Sequence, residues 1–251
     1  MKKQEYITEF LFKLKRLIRV IMYTISMYLV THLIVFFYLF PVGTTRITIN
    51  HKHAARLKKQ ITGLLFQVIG KRLKVYGLDN LEKGKSYVIV SNYPGSYAGF
   101  ALMNVFPEAS ILVHSFLSRV PMVGFLLKST GATFVQYQKF GRTRHEIDDM
   151  LSSIGNKNII ILPEGGRSPN GLIREFKHGY IYILRHSYKD LLPITLSGFY
   201  SLKPSKRPHI DPDSDLEIFI HKPIKHSIID SLDNQRILEL TVETIRKSYK
   251  P

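Results

Sequence analysis

The sequence contains no cysteine, and acidic residues are scarce at its amino-terminal end. The absence of cysteine among 251 residues excludes disulfide bonds, cysteine nucleophiles and thiolate metal sites. Residues 1–75 contain 14 lysines and arginines but only two acids, Glu5 and Glu9, so this part carries +12 of the net charge of +17. A basic end of this kind indicates binding either to nucleic acid or to anionic lipid.

The neighbouring apolar run favours lipid over nucleic acid. No Asp, Glu, Lys or Arg occurs from Val20 to Thr45, and at about 1.5 Å per residue this run could cross a bilayer core of roughly 30 Å. Basic residues flank both of its ends, so charge does not orient it, and a segment that dips into one leaflet is an alternative to a span. A buried core helix is a third alternative. We predict membrane attachment before residue 45 and no nucleic-acid partner, and we leave crossing open.

The stretch from His51 to Lys74 is basic and has apolar residues near helical spacing. This spacing predicts an amphipathic helix, which either lies among lipid headgroups or packs on the domain that follows. We therefore divide the chain into a basic, membrane-embedded or interfacial helical segment, residues 1–72, and a second domain, residues 73–251.

The second domain alternates short apolar runs with helical patterns, which predicts an α/β fold with a mostly parallel sheet flanked by helices. Continuous apolar runs of this length are typical of strands buried on both faces. The predicted strands are Tyr87–Val90, Ser110–Val113, Thr133–Val135, Asn158–Leu162 and Leu192–Leu196, with Asp215–Ile220 as an edge strand. The predicted helices are Pro121–Lys128, Thr143–Ile154, Phe176–His186 and a closing helix at Leu232–Tyr249, with a loop at Lys203–Asp213.

Polar residues follow several of these strands, at the end where open α/β sheets bind ligands. The segments are Ser91–Gly99, Gln136–Lys139 and Pro163–Ser168, and Phe176–Gly179 comes shortly after the last of them. Leu162–Ser168, which reads L-P-E-G-G-R-S, resembles the F-P-E-G-T-R-S block of the lysophospholipid acyltransferase superfamily, the enzymes related to 1-acylglycerol-3-phosphate acyltransferase. Pro121–Gly124 with Gly131–Val135 and Leu192–Ile194 resemble two further blocks in the family order, so the likeness covers roughly residues 73–200.

The resemblance implies an acceptor site built from the third block and its neighbours. In this family the Glu and Arg of that block, here Glu164 and Arg167, help to hold the acceptor's phosphate or hydroxyl groups, and an Arg fork suits bidentate phosphate recognition. Gly165, Lys177 and Tyr137, which stands where the family usually has Arg, complete the expected substrate-binding set. The alternative for Glu164 and Arg167 is an ion pair that only stabilises the loop.

The first block departs from the family pattern N-H-x4-D. Asn92 is retained, but Tyr93 stands at the position of the His general base and Ala98 at the position of the Asp that orients it. A phenol with an unperturbed pKa near 10 is a poor base at neutral pH but a competent hydrogen-bond donor. We therefore expect Tyr93 and Asn92 to act as polar contacts in catalysis. His114 and His178 are possible replacement bases, although a lone histidine is more often structural.

Three functional hypotheses follow. The defective first block is similar to the lipid A glycyltransferase branch of the superfamily, which would make the chain a glycyl or other aminoacyl transferase at the bacterial inner membrane, with its catalytic domain cytoplasmic. Its partners would be an acidic carrier protein as donor and a phosphorylated membrane lipid as acceptor. The enzyme would then act in lipopolysaccharide modification and polymyxin resistance. The alternatives are fatty acyl transfer to a lysophospholipid and a non-catalytic lipid-binding pseudoenzyme. No cofactor or metal is expected.

Overall fold

The computed structural model describes residues 2–34, 51–119, 124, 127, 128, 131–135, 140–204 and 206–251. Its strands are β1 Leu73–Tyr76, β2 Tyr87–Ser91, β3 Ser110–His114, β4 Thr133–Val135, β5 Ile159–Ile161, β6 Asp190–Ser197 and β7 Leu216–Ile220. Its helices are α1 Lys2–Ile34, α2 His51–Val68, α3 Ala98–Val105, α4 Phe140–Ile154, α5 Gly179–Ser187, α6 Phe199–Leu202, α7 His226–Ser231 and α8 Asn234–Arg246, with single 3-10 turns at Leu78–Asn80 and Ser115–Arg119.

The strands form one sheet in the order β1-β7-β6-β2-β5-β3-β4, and every neighbouring pair is parallel except β6 with β7. The predicted α/β class with a mostly parallel sheet is confirmed. The prediction that Asp215–Ile220 forms an edge strand is wrong, because β1 pairs along its outer side from Leu73↔Leu216 to Tyr76↔Phe219. β7 is therefore internal in the part of the sheet that the structure describes, and β1 is the edge.

Apolar side chains alternate between the two faces of the central strands and build a core on each. Ile89 and Ile160 belong to a cluster with α2, α3 and α6, whereas Val88 and Ile161 belong to a cluster with α4, α5 and α8. Burying both faces explains why the central strands appear in the sequence as continuous apolar runs.

Two predicted helices begin later in the structure than in the sequence pattern. The helix expected at Phe176–His186 begins at Gly179, because the backbone N–H of Lys177 donates to the carbonyl of Pro163 (3.0 Å) and so belongs to the loop after β5. The closing helix begins at Asn234, because the Asp233 side chain accepts a hydrogen bond from the N–H of Arg236 and caps it. Most of the predicted helix Pro121–Lys128 lies outside the described residues.

α2 confirms the predicted amphipathic helix, and it packs on the domain. Leu65, Phe66 and Ile69 are buried in the core cluster, and the Lys58 ammonium donates to the carbonyl of Ala109 (3.2 Å). Of the two placements open from the sequence, the structure therefore has this helix against α3. The division at residue 72 stays a prediction.

α1 contacts the domain at a few points and leaves much of its apolar surface exposed. Met27 is buried in the core, and Arg16 forms ion pairs with Asp211 (3.2 Å) and Asp213 (2.9 Å) in the loop before β7. The predicted apolar run is described only as far as Ile34. Within the described ranges, no helix combines the length and apolarity that a bilayer crossing requires.

Candidate active site

The candidate site lies at the carboxyl edge of the sheet, where β2 runs between β5 and β6. Because these three strands are parallel, the loops that follow them meet at one edge. The loops after β2 and β5 are joined directly, since the N–H of Ser168 donates to the carbonyl of Tyr93 (3.0 Å). The structure thus brings the first and third sequence blocks together.

Asn92 fastens the first loop to β6. Its side chain is completely buried; the amide nitrogen donates to the carbonyl of Leu196 (3.0 Å), and the amide oxygen accepts from the Leu196 N–H (2.8 Å). Both halves of the amide are therefore engaged by backbone. The geometry favours a positioning role for Asn92 over the direct polar contact expected from the sequence.

Tyr93 follows immediately and is partly exposed at the edge of the site. Burial raises the pKa of its phenol above the usual value, and the nearby Arg167 guanidinium offsets only part of this effect. The hydroxyl therefore stays protonated at neutral pH and can donate a hydrogen bond. Ala98 is completely buried at the first position of α3, so no carboxylate is available there.

The two histidines considered as replacement bases lie on other elements. His114 is the last residue of β3, and β5 lies between β3 and β2. At the usual strand spacing, β3 is therefore about 10 Å from β2, the strand that leads to Tyr93. The His114 Nδ1 atom accepts a hydrogen bond from the N–H of Phe116 (3.0 Å). His178 is exposed directly before α5. Neither histidine therefore lies in the loop that carries Tyr93.

Glu164 holds two loops together from a buried position. It is 2 % exposed; its Oε1 accepts from the Tyr93 N–H (2.6 Å) and its Oε2 from the Arg174 N–H (3.0 Å). Burial raises the pKa of this carboxyl, against the lowering effect of both hydrogen bonds and of the Arg174 charge. Glu164 thus fixes the backbone of Tyr93 through an acceptor that the sequence resemblance assigned to the substrate.

Arg167 is exposed, and its Nη1 atom donates to the Ser96 hydroxyl (2.8 Å) in the first loop. No ion pair joins Arg167 to Glu164 in the part of the chain that the structure describes. The loop-stabilising ion pair considered from the sequence is therefore absent there. Glu164 is turned inward and Arg167 outward.

Gly165 and Lys177 lie against each other beside these residues. Gly165 has a φ of +64°, and a Cβ placed there would lie 2.7 Å from the Lys177 Nζ atom. A side chain at Gly165 would therefore displace the ammonium, and the left-handed backbone is itself one that glycine favours. Tyr137, the remaining expected substrate contact, lies outside the described residues.

The carboxyl-terminal segment packs on the loop after β5 and on β6, and no pattern in the sequence indicates these contacts. The Tyr249 hydroxyl donates to the carbonyl of Gly171, and the N–H of Lys250 donates to the Ser197 hydroxyl (3.0 Å). Burial, with the nearby Glu164 and Tyr200, raises the pKa of Tyr249 to about 12, which keeps this donor protonated. Only contacts between residues far apart in sequence reveal this role.

No group of three or more His, Asp or Glu residues suited to a metal ion occurs among the residues that can be described. What the edge offers is a protonated phenol, a buried carboxylate that orders backbone, and exposed cations. Such a set can hold an anionic group and donate hydrogen bonds, but its first loop contains no evident base.

The chain is similar to known acyltransferases in sequence and in fold. A family model described as "Acyltransferase" matches residues 72–197. A chloroplastic 1-acyl-sn-glycerol-3-phosphate acyltransferase of Arabidopsis thaliana is 23% identical over 65% of this chain and 47% of its own length. A human enzyme named 1-acyl-sn-glycerol-3-phosphate acyltransferase beta is 27% identical over 55% and 51%, and a Borreliella burgdorferi 1-acyl-sn-glycerol-3-phosphate acyltransferase is 28% identical over 65% and 64%.

The first curated relatives are thus matched over about half of their length. Among solved structures, the 1-acyl-sn-glycerophosphate acyltransferase of Thermotoga maritima superimposes with a TM-score of 0.72 at 18% identity, covering 94% of this chain and all of that one. This match supports the fold.

Proposed function

Because this chain belongs to the acyltransferase family, we propose that it transfers an aminoacyl group, glycyl in the favoured case, from a carrier-protein thioester to a hydroxyl of a phosphorylated membrane lipid such as lipid A. The observation that carries the proposal is the phenol at Tyr93. Tyr93 stands where the family has its histidine base, and burial raises the pKa of its phenol. Ala98, which is buried, stands where the family has the aspartate that orients this base. A donor that supplies its own base removes the need for both.

A glycyl donor has such a base in its α-amine, which titrates near 7.7–8.0 in model compounds. The acceptor hydroxyl oxygen attacks the thioester carbonyl carbon while its proton passes to the amine. The C–S bond of the resulting tetrahedral intermediate then breaks, and the carrier thiolate leaves and takes up a proton. The products are the ester of the lipid and the free carrier thiol, and no side-chain base is consumed.

The residues of the site would bind and orient rather than abstract a proton. Tyr93 would donate its hydroxyl to the oxyanion of the intermediate, because preorganised donors at that point lower the barrier. Arg167 and Lys177 would hold the acceptor's phosphate, since both are exposed at this edge. Asn92 and Glu164 would fix the loop that carries Tyr93 through their bonds to Leu196 and to the Tyr93 backbone.

Fatty acyl transfer to a lysophospholipid is the second candidate, because the matched relatives are named as 1-acyl-sn-glycerol-3-phosphate acyltransferases. A fatty acyl donor has no amine, so this reaction would need a base from outside the first loop. The two candidates therefore differ in how the rate depends on the donor.

We expect the purified full chain to transfer glycyl from a charged carrier protein to lipid A, and not to transfer a fatty acyl group from the same carrier at a comparable rate. Mass spectrometry of the lipid product distinguishes one added glycyl from one added fatty acyl group. 1-Acylglycerol 3-phosphate serves as the parallel acceptor. A fatty acyl product as the dominant species would overturn the proposal in favour of the second candidate, and the absence of any product with every pair would favour the pseudoenzyme.

The pH dependence gives an independent check on the same reaction. The amine must be neutral to accept the proton, so the single-turnover rate with a glycyl donor should rise as the pH increases through about 8. Ionisation of the Tyr93 hydroxyl should not contribute to this increase in rate, because burial raises its pKa above the usual value. An N-acetylglycyl donor is the matched control: its amide cannot accept the proton, and its transfer should be slower and lack this rise. Equal rates for the two donors would contradict the role of the amine.

We further propose that α1 attaches the protein to an anionic membrane. Phe10 and Leu17 are more than half exposed on this helix, and the exposed Lys15 lies near them in the sequence. Changing both to glutamate should reduce binding to anionic phospholipid vesicles by about tenfold or more, since a fully buried Phe or Leu contributes about 1.5–3 kcal/mol. Flotation of protein with vesicles measures this. Ile228→Glu, at an exposed aliphatic position on α7, is the control, and equal flotation of all variants would show that α1 does not face lipid.

A further inference from the structure

Residues 248–251 are bound to the end of β6 by hydrogen bonds on both sides of Tyr249. The Ser197 hydroxyl donates to the carbonyl of Ser248 (2.9 Å) and accepts from the N–H of Lys250 (3.0 Å). One side chain of the sheet therefore holds the backbone before and after Tyr249. The direction in which this tyrosine leaves the segment is fixed by these two bonds.

Tyr249 extends from this segment to the loop after β5. It is partly buried, and its hydroxyl donates to the carbonyl of Gly171 (2.5 Å). Tyr200 of α6 lies against the same glycine, since a Cβ placed there would be 2.8 Å from its ring, and its hydroxyl donates to the carbonyl of Pro169 (3.3 Å). Two tyrosines from separate segments thus hold residues 168–172.

Hydrogen bonds continue from Gly171 to the loop that carries Tyr93. The N–H of Gly171 donates to the Ser168 hydroxyl (2.9 Å), which donates in turn to the carbonyl of Leu172 (2.8 Å). The N–H of Ser168 donates to the carbonyl of Tyr93 (3.0 Å). Ser168 is 1 % exposed, so these bonds are shielded from water. The hydroxyl of Tyr249 is therefore connected to the backbone of Tyr93 through Gly171 and Ser168.

The backbone of Tyr93 is held at both of its polar groups. Glu164 accepts from its N–H (2.6 Å), and Ser168 donates to its carbonyl. A catalytic hydrogen-bond donor is effective when its position is held to within about 0.5 Å of the productive one. The bond from Ser168 can do this only if the loop that carries Ser168 is itself held in place.

We propose that Tyr249 is a positioning residue for acyl transfer, which fixes Gly171 and, through Ser168, the place of the Tyr93 hydroxyl. The inference rests on the proposed function for the role of Tyr93. It adds a residue that lies outside the region matched by the family model, residues 72–197. Because the Tyr249 hydroxyl donates to a backbone carbonyl, it acts on the site through the loop and not on the substrate.

Hydrogen exchange of the full chain in detergent micelles tests the physical part of this proposal without any donor. Tyr249→Phe should speed exchange of the Gly171 and Ser168 N–H groups by about two- to tenfold, the effect of one lost hydrogen bond on local opening. Tyr180→Phe is the matched control, because it removes a buried tyrosine hydroxyl bond between α5 and α8 and should leave these groups unchanged. Faster exchange confined to residues 248–251 would overturn the proposal.

Steady-state kinetics test the catalytic part. Tyr249→Phe should lower kcat by about tenfold to 10²-fold with little change in the donor KM, because a slight misplacement of a catalytic group has effects of this size. In a Tyr93→Phe background the same change should lower kcat little further, since the hydroxyl to be positioned is gone. Ser197→Ala, which releases the segment from β6, should reproduce the loss, and Tyr180→Phe should keep the wild-type kcat.

The double variant and the control decide between positioning and general support of the fold. Fully additive losses in Tyr93→Phe with Tyr249→Phe would contradict an action through Tyr93. An equal loss in Tyr180→Phe would show that any lost tyrosine bond loosens the enzyme, and the proposal would be wrong. If the wild-type chain transfers a fatty acyl group and not glycyl, the proposed function fails but the same comparisons apply with that donor. If it transfers neither, the exchange of the Ser168 and Gly171 N–H groups decides.

Discussion

Replacing Tyr93 by phenylalanine is expected to lower the single-turnover rate of acyl transfer by about 10²–10³-fold, the usual cost of losing one preorganised oxyanion donor. The variant keeps the ring, which packs against the core cluster, and it keeps the backbone N–H that donates to Glu164. The folded structure should therefore persist, and the loss should appear in the rate rather than in the melting temperature. Tyr76→Phe, at the edge strand β1, removes a hydroxyl far from the site and is the control.

The measurement is transfer from a charged carrier protein to lipid acceptor, at donor concentrations that saturate the enzyme. Wild-type rates in Tyr93→Phe would show that the hydroxyl takes no part, and the search for a catalytic group would move to His114 and His178. An increased apparent KM with an unchanged kcat would instead assign the hydroxyl to substrate binding.

Restoring the family's His and Asp, by Tyr93→His together with Ala98→Asp, should not simply increase the rate of glycyl transfer. Ala98 is completely buried, so Ala98→Asp alone places a carboxylate in an apolar cluster and should destabilise the fold by several kcal/mol. Adding Tyr93→His supplies a partner and should recover part of that loss, which a double-mutant cycle measures.

Glu164→Ala and Arg167→Ala are expected to fail in different ways. Glu164 is buried and accepts from the N–H groups of Tyr93 and Arg174, so its removal leaves two backbone donors without their partner. Each such donor costs about 1–3 kcal/mol, so we expect a loss of about 2–6 kcal/mol in the free energy of unfolding as well as of activity. Arg167 is exposed and should lose about tenfold to 10²-fold in kcat/KM with little change in stability, since its bonds to a charged ligand contribute about 1.5–3 kcal/mol.

Denaturant unfolding and kcat/KM, measured on both variants, distinguish these outcomes. Arg167→Lys keeps the charge but cannot reproduce the bidentate fork, so it should also impair transfer. Equal stability and full activity in both alanine variants would show that neither residue matters to the site. A stable but inactive Glu164→Ala would instead assign this carboxylate to the substrate.

The regular core of the fold was predictable because its periodicity is strong. Ile159–Ile161 is buried on both faces, and a run of three isoleucines leaves little alternative to a central strand. β1 was missed because its four residues alternate between partly buried and exposed, which is a weak pattern in so short a segment. The register of Leu73 with Leu216 joins residues far apart in the chain, so the misassigned edge could be corrected only from the assembled sheet.

By itself, the sequence determined the family and the α/β class, and it predicted the loops of the candidate site and the replacement of the family's His and Asp by Tyr93 and Ala98, because these depend on residue identity and local spacing. Only the tertiary structure decided what those residues contact. Glu164 and Asn92 are polar residues beside a candidate base in the sequence, yet folding turns both inward to backbone partners. The Tyr249 hydroxyl reaches the loop after β5 from a distant segment of the chain. Burial and partners across the sheet arise only when the strands assemble, and they decide which polar side chains stay free for a ligand.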